Sequence, residues 1–402
     1  MTGKSVAIVG GLVLPITGEP IEGGTVLVRD GKIAAVGRGV DVPSGVDVVD
    51  ATGSWVLPGL IEAHGHVGVH EEAEGWAGSD TNEMTDPVTA NVRAIDAINP
   101  ADLGFRDAVS GGVLAVNVNP GSGNPIGGQT VALKCWGRTV DEMALRQPSG
   151  MKSALGENPK RVYGEQKKTP STRLGTAAVI RGALVDAANY LAKIEAEEGK
   201  PEGERKPVDR DLKLEALGKV LRREIPWRQH CHRADDIATA MRISEEFGYR
   251  LVIDHGTEAH LLADIIAAKE IPVIIGPLFT SRSKVELRNR SLANPGKLAA
   301  AGVTIAITTD HPVVPINFLS YQAALAVKHG LDRDSALRSL TINPARIVGV
   351  DDRLGSLEVG KDADVAIWSG DPLDVLSRVE RAFIDGSEIY SYQDGEQNFV
   401  EP

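Results

Sequence analysis

Short apolar runs separated by turn residues occupy both ends of the chain. Residues 25–29 and 32–36 are apolar runs joined by Asp30-Gly31, a dipeptide that accepts the positive φ angles of a tight hairpin turn. The C-terminal end shows the same pattern, with strand-like runs at 364–368 and 379–384 followed by a second Asp-Gly pair. Neither end alone can bury much of a core. The pattern therefore predicts one small β-sandwich domain built from residues 1–57 and 350–402.

The middle of the chain, residues 58–349, alternates strand-like and helix-like stretches. An alternation of strands and helices is typical of a parallel sheet, and the length suits a closed (β/α)8 TIM barrel of roughly 250 residues. An open doubly wound sheet is the alternative, but no G-x-G-x-x-G follows the first predicted strand. The predicted strands lie near 61–67, 113–118, 130–134, 151–154, 226–231, 250–254, 271–275 and 303–308. The clearest predicted helices cover 235–247, 258–268 and 295–301.

One segment departs from this alternation. Residues 173–198 form a long helix-like stretch that ends in charged residues, a polar linker follows, and a second helix is predicted near 211–222. We expect a helical insertion at about 173–222 whose charged tip is solvated surface. A lid over the site is the alternative.

Composition and charge restrict the partners. The chain has 402 residues, 43 Lys and Arg against 55 Asp and Glu, and a net charge of −12, which disfavours nucleic acid and acidic membranes as partners. No apolar run approaches the ~20 residues of a membrane span, and we expect no secretory signal. The two cysteines cannot form a disulfide framework. These features predict a cytoplasmic protein that acts on a small molecule. They are compatible with a monomer and with a homo-oligomer.

Histidines stand at the ends of several predicted strands. His64 and His66 form an H-x-H pair, whose side chains leave the same face of a strand. His230 and His232 form a second such pair, and His255 ends the next predicted strand. Asp310 ends the last predicted strand. Because strand ends of a parallel barrel converge on one face, and imidazole and carboxylate groups bind divalent metals, the pattern predicts a metal site there.

Three segments carry a family resemblance. Val56-Leu57-Pro58-Gly59-Leu60-Ile61-Glu62-Ala63-His64-Gly65-His66 resembles the first-strand signature of the amidohydrolase superfamily. Asn343-Pro344-Ala345, and the segment from Gly355 to Asp364 that returns into the terminal β-domain, are similar to that superfamily too. The resemblance covers nearly the whole chain and is strongest to the imidazolonepropionase-like and prolidase-like branch.

The resemblance implies a set of metal ligands. His64, His66 and His255 would be ligands, and Asp310 would bind metal and also take a proton from the attacking water. The fifth-strand ligand falls on His230 or His232; His230 is favoured, which leaves His232 to face the substrate. The implied cofactor is one or two divalent metal ions per chain, with zinc favoured and manganese or iron also suited to these ligands.

The bridging ligand of a two-metal site and the substrate contacts stay open. Glu157 is favoured as the bridge, while Lys152, as a carboxylated lysine, and Lys134 are the alternatives. Arg161 is a candidate for holding a substrate carboxylate, as are Arg173 and Arg282, and the resemblance adds His311 as a residue that touches substrate. The glycine-rich segment 121–129 lacks the lysine and serine of a phosphate-binding loop, so we expect it to line the site.

The implied reaction is metal-dependent hydrolysis of a C–N bond in an amide, cyclic amide or peptide-like substrate. Metal-activated water would attack with Asp310 as general base, and His232 or His255 would stabilise the oxyanion. One alternative is deamination of a heterocycle, which the resemblance disfavours because Arg233 and Asp235 occupy the positions where many deaminases carry a glutamate. A second alternative is a non-catalytic binding barrel, which is expected to have lost its metal residues.

Overall fold

The computed structural model describes residues 5–402. The first four residues, which contribute to the expected absence of a secretory signal and to the predicted β-domain, lie outside the described residues. Among the described residues, no helix has both the length and the apolar composition that crossing a membrane requires.

Seventeen strands and eleven α-helices make up the described chain. The strands are β1 Val6–Val13, β2 Ile21–Arg29, β3 Lys32–Gly37, β4 Asp47–Asp50, β5 Trp55–Pro58, β6 Leu60–Gly65, β7 Val113–Val118, β8 Ile126–Lys134, β9 Ala144–Ala154, β10 Trp227–Cys231, β11 Leu251–His255, β12 Val273–Ile275, β13 Ile305–Ile307, β14 Val365–Trp368, β15 Val379–Ile384, β16 Ser387–Gln393 and β17 Glu396–Phe399. The helices are α1 Leu103–Ser110, α2 Val140–Met143, α3 Glu157–Glu165, α4 Arg173–Glu198, α5 Leu212–Leu221, α6 Ala234–Phe247, α7 Ala263–Ala268, α8 Asn294–Ala300, α9 Leu319–Lys328, α10 Arg333–Leu340 and α11 Ile342–Val348.

Strands β6 to β13 form an eight-stranded barrel in chain order. The barrel confirms the predicted (β/α)8 architecture. At the seam between its last and first strands, the backbone N–H of His66 donates to the carbonyl oxygen of His311 at 2.9 Å. The Thr308 hydroxyl donates to the carbonyl oxygen of His64 at 2.6 Å. These bonds bring the loops that carry the first and last predicted ligands together.

One strand of the barrel runs against the predicted direction. Strand β8 pairs antiparallel with both β7 and β9, whereas the other neighbouring pairs are parallel. The prediction of an all-parallel sheet is therefore wrong at β8. The connections into and out of β8 contain no long crossover helix, and short connections join antiparallel strands. As a result, the C-terminal end of β8 lies at the face of the barrel opposite to the other strand ends.

The two chain ends join in one nine-stranded sheet. Strand β5 from the N-terminal part pairs antiparallel with β14 from the C-terminal part. Both predicted Asp-Gly turns are present, with positive φ at Asp30 and Asp385 of 51° and 48°. The sheet closes around an apolar core of its own, which includes Ile8, Val56 and Phe383.

The predicted helical insertion consists of α4 and α5, which pack against each other. The side chains of Ile180 and Leu184 from α4 and Leu217 from α5 are buried in the main core. The charged end of α4 is exposed. The insertion is thus one of the helical layers around the barrel.

Candidate metal centre

A cavity of about 310 Å³ opens at the carboxyl ends of the barrel strands. Histidine rings, hydroxyls and two lysines supply its polar groups, and Pro277, Leu287, Pro312 and Val313 are among its apolar ones. Its lining comprises His64, His66, His70, Thr81, Asn82, Gly121, Ser122, Lys152, His230, His232, His255, Pro277, Thr280, Ser283, Lys284, Leu287, Asp310, Pro312 and Val313. Gly121 and Ser122 place the glycine-rich segment at the cavity, as predicted.

Three predicted ligands converge at the base of the cavity. His64, His255 and Asp310 each offer one ligand atom, and these atoms lie within 4.8 Å of one another. Asp310 Oδ1 is 3.4 Å from Nε2 of His64 and 3.3 Å from Nε2 of His66. Donors from the first, sixth and last barrel strands therefore meet at one point, although the chain separates them widely.

The backbone turns sharply at two of these residues. His255 and Asp310 have φ angles of 74° and 54°, in the left-handed region that non-glycine residues rarely adopt. Such conformations persist where surrounding structure holds them, and they cluster at functional sites. Each one lies at the point where a strand ends and the chain turns at the cavity.

Backbone and carboxylate acceptors orient three of the rings. Nδ1 of His66 lies 2.8 Å from the carbonyl oxygen of Asn119, and Nδ1 of His255 lies 2.9 Å from that of Gly276. A carbonyl oxygen only accepts, so each Nδ1 carries the proton and each Nε2 keeps its lone pair. Nδ1 of His64 lies 3.0 Å from Asp254 Oδ2, which favours the same tautomer. Hydrogen bonds of this kind orient metal-binding histidines.

Both histidines of the second pair also border the cavity. The ring centroid of His230 is 4.5 Å from that of His255, and the centroid of His232 is 5.1 Å from it. Nδ1 of His232 contacts the Thr257 hydroxyl at 2.8 Å. The Asn158 amide lies 3.4 Å from Nε2 of His230, while Nδ1 of His230 is buried with no hydrogen-bond partner among residues 5–402. A buried ring nitrogen without a partner is suited to a ligand bond.

A buried ionic network lies beside His64. Lys152 Nζ is 3.3 Å from Asp254 Oδ2 and 3.3 Å from Nε2 of His64. Arg228 donates to Asp254 Oδ1 at 2.9 Å. Of the three candidates for the bridging ligand, Lys152 alone lines the cavity among the described residues. Asp254 also belongs to the site, but it was not predicted. Its position two residues after Val252, on the inward face of β11, is the signal that could have identified it.

The electrostatics favour the ligand forms of these groups. Burial lowers the pKa of His255 to about 3 and holds the pKa of His230 and His232 well below the usual value, with neighbouring histidines adding to the effect. Burial raises the pKa of Asp310, but the adjacent rings of His255, His64 and His66 outweigh it and hold the pKa well below its usual range. Neutral imidazoles and an ionised carboxylate are the forms that bind metal.

Several predicted residues lie outside this group. Glu157 begins α3 beside Glu286, where its backbone N–H donates to Glu286 Oε1 at 2.8 Å, and it does not line the cavity among the described residues. Lys134 lies at the end of the antiparallel β8 and pairs with carboxylates of the terminal β-domain. Arg161 is exposed. His311 is buried outside the cavity lining, and burial lowers its pKa to about 4.

The other two predicted arginines lie outside the cavity lining, and one lysine that was not predicted lies in it. Arg173 pairs with Asp236 and with Glu286, and Arg282 is exposed. Lys284 lines the cavity instead. It lies in the irregular loop after β12, where strand periodicity offers no signal that would have identified it.

Comparisons with known proteins identify the family of this chain. A sequence model of the amidohydrolase family matches residues 222–392. A crystal structure of an amidohydrolase from Thermotoga maritima MSB8 shares 48% identity and a TM-score of 0.93, covering 96% of this chain and 100% of that one. Amidohydrolase tasK from Hapsidospora irregularis is 30% identical over 92% of this chain, which spans 42% of the length of tasK.

A third relative belongs to a named enzyme class. An imidazolonepropionase from Mesorhizobium japonicum is 26% identical, with 87% of each chain covered. Taken together, these similarities place the chain in the amidohydrolase family, with imidazolonepropionases among its relatives, as a hydrolase that acts on C–N bonds.

Proposed function

We propose that this chain hydrolyses the C–N bond of a small amide or cyclic amide, using water activated at a divalent metal, with Asp310 as the general base. The observation that carries the proposal is the convergence of Asp310 with the Nε2 atoms of His64 and His66, at 3.4 and 3.3 Å. The fold and the family support the reaction class, and the cavity geometry supports the roles proposed for the residues.

The donors present suit a divalent metal. Acceptors on Nδ1 of His64, His66 and His255 leave the Nε2 lone pair of each ring for a ligand bond. His230 lines the same cavity and is the fourth candidate ligand, because its buried Nδ1 has no partner among the described residues. Neutral nitrogen donors with one carboxylate suit zinc, manganese or iron, and we infer one or two ions per chain.

Lys152 is the best placed bridging ligand for a second ion. Its amine lies 3.3 Å from Nε2 of His64 and is fully buried. Burial lowers the pKa of Lys152 below its usual value, which increases the neutral amine that reacts with carbon dioxide. The carbamate formed from that amine would present two oxygens where His64 and His255 approach each other. This assignment replaces Glu157.

The roles of the remaining groups follow from their positions. A divalent cation bound here would lower the pKa of a bound water to about 7 and polarise the substrate carbonyl. Asp310 would accept the proton of the attacking water and pass it to the leaving nitrogen as the C–N bond breaks. The Thr257 hydroxyl would donate to Nδ1 of His232, which leaves the ring proton on Nε2. His232 would then stabilise the oxyanion through Nε2–H.

Metal analysis joined to a substrate screen tests the proposal. We expect one or two divalent ions per purified chain and hydrolysis of at least one member of a panel of N-acyl amino acids, dipeptides and cyclic amides. Hydrolysis should stop on removal of the metal by a chelator and return when the metal is restored. Ammonia release from an aminated heterocycle, without amide hydrolysis, would instead identify a deaminase. A chain that binds no metal and hydrolyses nothing would fit a binding barrel.

Changing the bridging candidates separates them. Lys152→Ala is expected to lower the bound metal by about one ion per chain if two are present, because the bridging oxygens are lost, and added formate or acetate should restore part of it. Glu157→Gln, the matched control, should leave the metal content unchanged. The measurement is elemental analysis after dialysis. A loss in Glu157→Gln with none in Lys152→Ala would reverse the assignment.

A further inference from the structure

A second lysine lines the cavity besides Lys152. Lys284 lies in the loop between β12 and α8, and its side chain is partly buried at the cavity wall. The buried Glu286, two residues further on, anchors this loop by accepting from Arg173 at 2.7 Å and from the backbone N–H of Glu157 at 2.8 Å. The position of Lys284 is therefore held by the fold.

The Lys284 ammonium has no ion-pair partner in the part of the chain that the structure describes. Asp310, Glu157 and Glu286 are the carboxylates whose charges act on it, but none forms an ion pair with it within 4 Å. Asp310 is already surrounded by His64 and His66. Glu286 is engaged by Arg173. A partly desolvated cation without a counter-ion is unfavourable, so the site favours an anion supplied from outside.

The other cations near the cavity either contact carboxylates already or lie outside the cavity lining. Lys152 contacts Asp254 and His64 at the base. Arg173 pairs with Asp236 and Glu286. Arg161 and Arg282 are exposed and do not line the cavity among the described residues. Lys284 is thus the cation available to a ligand that already occupies the metal centre.

Lys284 lines the same cavity as the candidate ligands His230 and His232. Two hydroxyls in the same loop, those of Thr280 and Ser283, belong to the same wall. The cavity, about 310 Å³, lies at the small end of ligand pockets.

We infer that Lys284 is the specificity-determining residue of the site and binds a carboxylate of the substrate, so that the chain selects small amides that carry an acid group near the scissile C–N bond. The inference rests on the proposed function and adds the substrate class to it. Lys284 would hold that carboxylate by a charge-assisted hydrogen bond, and the Thr280 and Ser283 hydroxyls line the same cavity.

Paired metal-binding probes test this inference by affinity. Hydroxamates chelate divalent metals, so malonic, succinic and glutaric monohydroxamates can be compared with neutral hydroxamates of equal length that end in a methyl group. Binding is measured by calorimetry on the metal-loaded enzyme. We expect the wild-type chain to prefer at least one acid over its neutral partner by about 10- to 100-fold, the range for a hydrogen bond to a charged group.

Three variants locate the effect. Lys284→Met should abolish the preference for the acid while leaving the neutral hydroxamate bound as before. Lys284→Arg should retain most of the preference, and Arg282→Met, the control on the same loop, should change neither. Substrates give a parallel readout: Lys284→Met should lower kcat/KM for an N-acyl amino acid and spare its primary amide. A wild-type chain without preference, or a preference that survives in Lys284→Met, would overturn the inference.

The same data separate this inference from the proposed function. Neutral hydroxamates that bind the metal-loaded chain, with no acid preference, would leave the metal centre intact and overturn only the role of Lys284. A chain that takes up no metal and binds neither hydroxamate would overturn the proposed function, and the inference with it. Equal losses for acid and amide substrates in Lys284→Met would assign Lys284 to the reacting group, which also contradicts the inference.

Discussion

Asp310→Asn is expected to lower kcat by about 10²- to 10⁴-fold, the usual contribution of a general acid–base group. The carboxamide has nearly the shape of the carboxylate but cannot accept the proton of the attacking water. Asparagine also tolerates the left-handed backbone of this position, where φ is 54°, so the fold should survive. The amide oxygen remains available as a ligand, and part of the metal should therefore stay bound.

The test combines kinetics with elemental analysis on the same preparation. kcat is measured for the best substrate of the screen, and the metal content is measured after dialysis. Asp264→Asn, on the exposed surface of α7, serves as the control and should match the wild-type chain in both. Full activity of Asp310→Asn with a normal metal content would remove Asp310 as the base.

Lys134→Met is expected to lower the free energy of unfolding by about 3–5 kcal/mol at neutral pH, the usual effect of removing one partner from a buried ion pair. Lys134 Nζ lies 2.8 Å from Asp362 Oδ2, 2.9 Å from Asp364 Oδ1 and 2.7 Å from Asp385 Oδ1, and its side chain is 4% exposed. The change would leave these carboxylates crowded between barrel and β-domain without their shared cation.

The effect should depend on pH in a defined direction. Burial raises the pKa of Asp362, but Lys134, Lys32 and Arg353 outweigh it and lower the pKa from 3.8 to about 2. A lowered pKa in the folded state stabilises the fold above the unfolded value of 3.8, and this contribution is lost as the pH falls from 3.8 toward 2. The difference between wild type and Lys134→Met should therefore shrink in acid.

Denaturant unfolding at neutral pH and near pH 3 measures this difference. Lys32→Met is the matched control, because Lys32 pairs with the same Asp362 but its side chain is 51% exposed. Without Lys32, the buried Asp362 still keeps Lys134 and Arg353 as partners, so this variant should lose much less stability than Lys134→Met. Equal stability of Lys134→Met and the wild-type chain would show that the ion pairs of Lys134 do not stabilise the contact between the barrel and the β-domain.

The sequence alone determined the reaction class and the outline of the fold. Hydrophobic alternation and Asp-Gly turns predicted the composite β-domain, and the βα order predicted the barrel, because both patterns depend on local backbone geometry. The metal candidates His64, His66, His255 and Asp310 could be predicted because each stands at or just beyond a strand end. The C-terminal ends of parallel barrel strands meet on one face, regardless of the length and sequence of the segments that connect them.

Only the tertiary structure decided which of the remaining candidates can act. Lys134 and Lys152 both stand near strand ends in the sequence, but β8 runs antiparallel, so Lys134 points to the opposite end of the barrel while Lys152 reaches the cavity. Glu157 is held beside Glu286 by a backbone hydrogen bond. Lys284 comes from an irregular loop whose path is set by packing and by the anchor at Glu286. Strand direction and loop path depend on contacts between residues far apart in the chain, and no local pattern of residues encodes them.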